Sequence, residues 1–292
     1  MFASKTQSGR TVLLTTFTLV AFAANSVFCR LALGENAIDA ASFSTLRLGS
    51  GAITLAIIMA FRADSKWLAN HGSWPSALLL FLYAAPFSFA YISLSAGTGA
   101  LILFGTVQVT MLLAGLFAGE RPSVAQWAGL AFALGGLVCL VFPGLTAPAP
   151  LGSGLMIVAG IAWGFYSLRG RGEGNPVAVT AGNFVRAVPL AVILSVVFLK
   201  GSHVTGRGAG LAIVSGGLTS GLGYVLWYTA IKGFTATRAA VIQLPVPVLS
   251  AIGGVIFLSE GLSLRLVVAS AMILGGVWLA ILERNREPSA ER

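Results

Sequence analysis

Residues 115–142 read GLFAGERPSVAQWAGLAFALGGLVCLVF, and residues 255–282 read VIFLSEGLSLRLVVASAMILGGVWLAIL. In both stretches a Glu is followed 14 residues later by Leu-Gly-Gly, with a Phe and a Ser at matching positions. Such a recurring spacing indicates an internal repeat, here with a shift of 140 residues. The Gly-Gly pairs lie inside apolar runs, where small residues let helices pack closely.

Further matches extend the repeat toward the middle of each half. At the same shift of 140 residues Ala100 aligns with Ala240, and at a shift of 139 Arg47 aligns with Arg186. An Arg in the same place of both halves is notable because each lies within a long apolar run. The repeat therefore includes charged positions as well as packing positions.

The amino-acid composition indicates whether water or lipid surrounds most of the chain. Of the 292 residues 57% are hydrophobic and only 9% are charged, whereas soluble domains have about 25% charged residues. This excludes an ordinary cytosolic enzyme and a disordered chain. The two Cys, Cys29 and Cys139, are too few for a disulfide scaffold. We predict an all-α membrane protein.

The apolar runs predict ten transmembrane helices arranged as two inverted five-helix repeats. They are residues 11–30, 41–61, 77–96, 99–118, 124–142, 152–169, 177–199, 209–231, 236–258 and 263–282. These runs are long enough to cross the ~30 Å hydrocarbon core as helices and too long for barrel strands. Gly97-Thr98 is the predicted turn between the third and fourth spans.

The predicted repeats are residues 10–142 and residues 152–282, with tails at 1–9 and 283–292. Since each repeat has an odd number of spans, the second enters the membrane from the opposite side. Inverted repeats of this kind suit alternating access, with the substrate near the midplane.

The basic residues predict the orientation. Of the 18 Lys and Arg, 12 fall on the side of both termini and 4 on the other, so both termini are predicted to be cytoplasmic. The net charge of +9 then reflects this bias and contact with anionic lipid, with no nucleic acid partner required. A cleavable signal peptide ending near residues 21–23 is the alternative for the first span, but its removal would break the repeat.

No set of residues points to an enzyme, a metal site or a cofactor. The two His, His71 and His203, fall in loops on opposite sides, and no nucleophile–base set is present. All nine acidic residues lie outside the middle of the spans, including Glu120 and Glu260 at span ends. Ion-coupled carriers usually need an intramembrane carboxylate, so we predict a facilitator or exchanger without obligatory ion coupling.

Aromatic and amide side chains inside the spans mark a candidate cavity. Tyr83, Phe87 and Tyr91 share one face of the third span, and Tyr224, Trp227 and Tyr228 mark the eighth. The predicted substrate-binding residues are Asn25, Tyr83, Tyr91, Gln108, Trp163, Tyr224, Trp227 and Gln243. Arg47 and Arg186 have two interpretations, a clamp for a substrate carboxylate or a structural contact with backbone carbonyls, and the structural role is favoured because both halves keep the residue.

Two five-span halves, an Arg in each second span, and a Glu followed by Gly-Gly in the fifth span resemble the drug/metabolite transporter superfamily, in its ten-helix EamA branch. The resemblance implies a bacterial inner-membrane exporter of metabolites or drugs, and it is greatest to the YddG-like exporters of aromatic amino acids. The family often has Pro in both the fourth and ninth spans. Here the ninth has Pro245 and Pro247, but the fourth has Gly105 and Val107.

The function predicted from these observations is export of small metabolites, with amino acids and especially aromatic ones as substrates. Aromatic side chains can stack on an indole or phenyl ring, and a carboxylate needs Arg or a helix N-terminus. Two alternatives stay open. One is a broad drug and metabolite exporter, including lipophilic cations, and the other is an intramembrane enzyme acting on lipid precursors.

Overall fold

The computed structural model describes residues 2–62, 67–117, 124–142, 147–171, 173–232, 239–240 and 242–282. Throughout these ranges the regular structure is helical, apart from one isolated bridge between Ile38 and Val204. The prediction of an all-α protein is therefore confirmed. Glu120 and the predicted tail 283–292 lie outside the described residues.

The helices follow one another closely along the chain. They are α1 (Phe2–Gly34), α2 (Ala40–Ala60), α3 (Trp67–Asn70), α4 (Trp74–Ala90), α5 (Ala96–Phe117), α6 (Val124–Val141), α7 (Pro150–Gly170), α8 (Pro176–Val197), α9 (Gly206–Val214), α10 (Gly223–Ala230), α11 (Pro245–Leu258) and α12 (Leu264–Leu282). A π-helical segment, Ser215–Leu222, joins α9 and α10 into one continuous helix. A short 3-10 turn covers Leu199–Gly201.

Among the described residues, six helical stretches are long and apolar enough to cross a membrane. They are Leu13–Gly34, Ala40–Ala60, Ala96–Phe117, Pro150–Gly170, Pro176–Val197 and Gly206–Ala230. Four apolar helices are shorter, namely Trp74–Ala90, Trp127–Val141, Pro245–Leu258 and Leu264–Gly276. The helix of the first span begins at Phe2, so most of the predicted tail 1–9 is already helical.

Local sequence explains where several helices begin. The side chains of Asp39, Ser73 and Asn175 accept the backbone N–H three residues ahead and so cap α2, α4 and α8. The predicted turn at Gly97-Thr98 is wrong, because both residues lie in the first turn of α5. The turn is residues 91–95, and the Ser95 hydroxyl accepts the Thr98 N–H (3.2 Å) where α5 begins.

Packing brings helices of the two halves together. Helix α2 packs on α8, α4 on α7, and α6 on α12, while α1 contacts both α11 and the helix 206–230. The glycines of the repeated stretch serve these contacts: a Cβ on Gly276 would come within 2.6 Å of the Gly129 carbonyl oxygen. Large apolar side chains such as Phe17, Ile53 and Val197 remain exposed, as expected of helices that face lipid.

Candidate substrate-binding site

A cluster of aromatic side chains fills the centre of the helix assembly. Its members are Phe22 of α1, Tyr83 and Phe87 of α4, Trp163 and Tyr166 of α7, and Tyr224 and Trp227 of α10, and each is at most 5% exposed. The ring centroids of Trp163 lie 4.7 Å from Tyr224, 4.9 Å from Tyr83 and 5.3 Å from Phe22. We call this set the central aromatic cluster. Edge-on and tilted contacts of this kind are the geometry that aromatic pairs prefer.

Arg47 of α2 reaches into this cluster and is 1% exposed. Its Nε donates to the Ser220 hydroxyl (2.9 Å), and its Nη2 donates to the hydroxyls of Tyr83 and Tyr224 (both 3.0 Å). The guanidinium carbon also lies 4.8 Å from the ring centroid of Phe87, within range of a cation–π interaction. The fold therefore places a cation where the two halves meet.

The partners of Arg47 are all uncharged. In the part of the chain that the structure describes, no carboxylate bonds to the guanidinium, and the buried Nη1 has no hydrogen-bond partner. Burying an Arg in a membrane costs roughly 2.5–3.5 kcal/mol on insertion scales, and an unmade bond adds to that cost. A buried cation with a free donor can bind an anionic group.

Asn25 extends the polar side of the site. Its Oδ1 accepts hydrogen bonds from the hydroxyls of Ser215 (2.8 Å), Thr219 and Ser220 (3.3 Å), all in the π-helical segment. Its Nδ2 is buried with no hydrogen-bond partner in the structure. Since Ser220 contacts both Asn25 and Arg47, the two side chains belong to one hydrogen-bond network. π-Helical segments are frequent at functional sites.

Both predicted glutamines donate to backbone carbonyls where the ninth span begins, Gln108 to Ala240 and Gln243 to Ala239. Gln243 accepts the indole N–H of Trp163 (2.9 Å), and Gln108 donates to the Ala240 carbonyl (2.6 Å). The Oε1 of Gln108 is buried and has no partner in the described structure. Gln243 orients Trp163 within the central aromatic cluster, whereas Gln108 ties α5 to the second half.

Arg186 of α8 has a different environment from its repeat mate. Its Nη1 donates to the carbonyls of His71 (2.9 Å) and Gly182 (3.0 Å), and its Nη2 donates to the Leu68 carbonyl (2.7 Å). These bonds hold the connection between α2 and α4, in which Gly72 has a positive φ of 78°. Arg186 thus makes the backbone contacts expected of a structural residue.

Tyr91 lies at the end of α4 rather than in mid-span, because α4 stops at Ala90. Beside it, Arg30 donates to the Tyr91 and Ile92 carbonyls (both 3.1 Å) and pairs with Glu260 (3.1 Å). The other Glu260 oxygen accepts the Ala96 N–H at the start of α5 (2.8 Å). Glu260 therefore pairs and caps at a span end, as its sequence position indicates.

Several residues of the site were absent from the sequence prediction. Ser220, Phe22 and Phe87 contact Arg47 or Trp163 directly. Phe22 lies one helical turn before the predicted residue Asn25, and Phe87 shares a helix face with the predicted Tyr83. For Ser220 the available signal is the run of small residues 215–223, which is typical of close helix approach.

A family model of EamA-like transporters matches residues 9–142 and again residues 150–282. The chain belongs to the EamA-like transporter family. It is a multi-pass membrane protein that transports small molecules, and the resemblance to the drug/metabolite transporter superfamily is confirmed at this level.

Relatives of this EamA-like transporter extend over almost its whole length. An uncharacterised protein of Pseudomonas aeruginosa is 50% identical over 275 residues, covering 94% of this chain and 96% of the relative. Two uncharacterised transporters of Archaeoglobus fulgidus are 24% and 25% identical and cover 83% and 96% of this chain, and 89% and 100% of their own lengths. A solved crystal structure, 21% identical, covers 94% of this chain and 99% of its own, with a TM-score of 0.66. That last likeness concerns the fold alone.

Proposed function

We propose that this EamA-like transporter exports small amphiphilic metabolites across the bacterial inner membrane, with amino acids, and aromatic ones above all, as its preferred substrates. Transport proceeds by alternating access between two inverted five-helix halves, with ten membrane spans and both termini in the cytoplasm. The observation that carries the proposal is a buried Arg47 with a free donor, set among aromatic rings.

The helix contacts support two inverted halves. The repeat mates of α4, α5 and α7 are the helix 206–230, α11 and α1. The contact of α4 with α7 has its counterpart in the contact of the helix 206–230 with α1, and both are present. The contact of α5 with α7 likewise has its counterpart in the contact of α11 with α1. A pair of halves related in this way has two equivalent arrangements, one open to each side of the membrane.

The substrate site follows from the chemistry of its walls. Rings of the central aromatic cluster favour an indole or phenyl group, while Arg47 and Asn25 supply donors for a carboxylate. Trp163 is the residue we test first, because it contacts four other aromatic side chains and its indole N–H is held by Gln243. Of the predicted substrate-binding residues, Tyr91 is the least central, since it borders the Arg30–Glu260 pair.

An uncoupled mechanism accords with the acidic residues. Within the described ranges these are Glu35, Asp39, Glu173 and Glu260, and all four lie between helices rather than inside them. A proton or cation carried across the membrane needs a group near the midplane that binds and releases it. Net efflux is then driven by the electrochemical gradient of the substrate itself.

Counterflow in liposomes containing the purified full-length protein tests this function. We expect labelled phenylalanine or tryptophan to exchange against the unlabelled amino acid with no proton or sodium gradient. Trp163→Ala should lower the exchange at least tenfold, while Phe198→Ala, a substitution outside the central aromatic cluster, should leave it unchanged. Absence of aromatic amino acid exchange, or equal transport of lipophilic cations, would contradict the proposal in favour of a broad drug exporter.

The topology has its own test. With Cys29 and Cys139 replaced by Ser, single cysteines at Ser202 and Pro148 should react with an impermeant reagent added from the periplasm. Cysteines at Arg62 and Gly174 should react only from the cytoplasm. The reverse pattern would contradict both the orientation and the inverted repeat.

A further inference from the structure

We infer that the central site selects a monocarboxylate anion, that the ammonium group of an amino acid is dispensable for transport, and that the membrane potential therefore drives export. This inference rests on the proposed function, because it assigns the charge of the substrate in the same site. It differs from amino acid export in its main consequence, since an amino acid zwitterion carries no net charge.

The first step is the excess of donors in the site. Arg47 Nη1, Asn25 Nδ2 and Trp227 Nε1 are all buried and have no hydrogen-bond partner among the described residues. Arg47 and Asn25 are linked through Ser220, so their free donors belong to one network. The two free donors of this network, on Arg47 and Asn25, are complementary to the oxygens of a carboxylate, which accepts several bonds at once.

The second step is the state of the acceptors that an ammonium would need. Asn25 Oδ1 already accepts three hydroxyls, and Gln243 Oε1 accepts the Trp163 indole. The faces of Tyr83 and Phe87 lie under the Arg47 guanidinium, which makes them unavailable to a second cation. Among the buried amide oxygens of the described residues, the one without a partner is Gln108 Oε1, which lies outside the Arg47 network.

The third step is the net charge. Arg47 is charged at every working pH, and within the described residues no carboxylate is bonded to it. A bound monocarboxylate neutralises this buried charge. A bound zwitterion neutralises it and also adds a second buried cation, whose desolvation must be offset by contacts that a monocarboxylate does not need.

The charge of the substrate determines the driving force. Moving one elementary charge across 100 mV changes its free energy by about 2.3 kcal/mol. A potential of about 60 mV, negative inside, therefore changes the equilibrium ratio of a monovalent anion roughly tenfold in favour of export. An uncoupled carrier of carboxylate anions thus concentrates its substrate outside the cell without an ion gradient as co-substrate.

The experiment compares three probes that share one ring. The full-length protein is reconstituted on a solid-supported membrane, and concentration jumps of 3-phenylpropanoate, phenylalanine and phenylethylamine are applied at pH 7.5. We expect a protein-dependent current for 3-phenylpropanoate with the sign of a moving anion, and none for phenylethylamine. Permeation of the protonated acid carries no charge and therefore gives no current.

A potassium diffusion potential supplies the second measurement. In liposomes with valinomycin, 60 mV negative inside should change the steady-state ratio of 3-phenylpropanoate about tenfold and leave that of phenylalanine at one. Asn25→Asp, which puts a carboxylate into the Arg47 network at nearly constant shape, should reduce the 3-phenylpropanoate current at least tenfold. Should that variant not fold, the three-probe comparison decides alone.

The outcomes separate the two proposals. Transport of phenylalanine without a current or flux for 3-phenylpropanoate would overturn the anion site and leave amino acid export standing. A current for phenylethylamine would overturn the anion site as well. If none of the three probes moves, aromatic substrates are wrong altogether and both proposals fail.

Discussion

Arg47 and Arg186 occupy matching positions in the two halves and lie in different environments. Arg47 bonds to three hydroxyls, keeps Nη1 free and is 1% exposed, whereas Arg186 bonds to three backbone carbonyls and is half-buried. Hydroxyls and a free N–H can rearrange around an incoming anion, while carbonyls of a turn are already fixed. One sequence feature thus has two environments: Arg186 holds the chain, and Arg47 is the residue to which we assign the substrate carboxylate.

The largest difference between the two arginines should be in transport. Arg47→Gln removes the charge that would face a substrate carboxylate, and loss of one partner of a buried charged pair costs about 2–5 kcal/mol. We expect aromatic substrate exchange in liposomes to fall at least 30-fold, while Arg186→Gln retains exchange within about threefold. A comparable loss in both variants would remove the distinction.

The next difference should be in stability. Arg186→Gln deletes charged hydrogen bonds that join α8 to the connection before α4, and a bond to a charged group contributes about 1.5–3 kcal/mol. We expect thermal unfolding of the purified protein in detergent to shift down by several degrees. Arg47→Gln should unfold at an equal or higher temperature, because it removes an incompletely bonded buried cation.

Two glycines sharpen the comparison because each contacts the backbone beside one arginine. A Cβ on Gly216 would clash with the Arg47 carbonyl oxygen, and a Cβ on Gly182 would clash with the His71 carbonyl oxygen. Overpacking of this kind costs about 1–3 kcal/mol, so Gly216→Ala and Gly182→Ala should both lower the unfolding temperature. Only Gly216→Ala should also weaken substrate exchange, and Gly210→Ala, where no atom lies within 4 Å, is the neutral control.

The smallest effect concerns the caps of the two helices that carry these arginines. Burial raises the pKa of the Asp39 carboxyl, but hydrogen bonds from the Ser42 and His203 backbone N–H groups outweigh it and hold that pKa below its ordinary value. Its stabilisation is therefore full above the unfolded pKa near 3.9 and is lost as pH falls through the lower folded value. Asp39→Asn should remove this acid dependence, whose size is below the roughly 1 kcal/mol that a whole cap contributes. The amide of Asn175, which caps α8, contributes no such dependence. Unfolding curves between pH 2 and 6 would measure it, and an unchanged slope in Asp39→Asn would contradict the assignment.

The sequence by itself determined the solvent, the helical class and the family. A chain with 9% charged residues can satisfy its backbone in lipid only through helices or a closed barrel, and the long apolar runs select helices. The repeated Glu and Gly-Gly spacing gave the family resemblance that the family model confirms. Aromatic residues at helical spacing indicated Tyr83 and Tyr224, because side chains four residues apart share a face.

Only the tertiary structure decided what the arginines do and where Tyr91 lies. A one-dimensional alignment gives Arg47 and Arg186 the same position, but each has a partner more than 100 positions away, Ser220 for Arg47 and His71 for Arg186. Those partners depend on how α2 packs against the π-helical segment and how α8 packs against the turn at Gly72. Where a helix ends likewise depends on capping and on contacts between helices. The structure therefore shows that α4 ends at Ala90, with Tyr91 as its C-cap residue. Spacing fixes which residues share a helix face, whereas contacts between helices fix which face meets a charge.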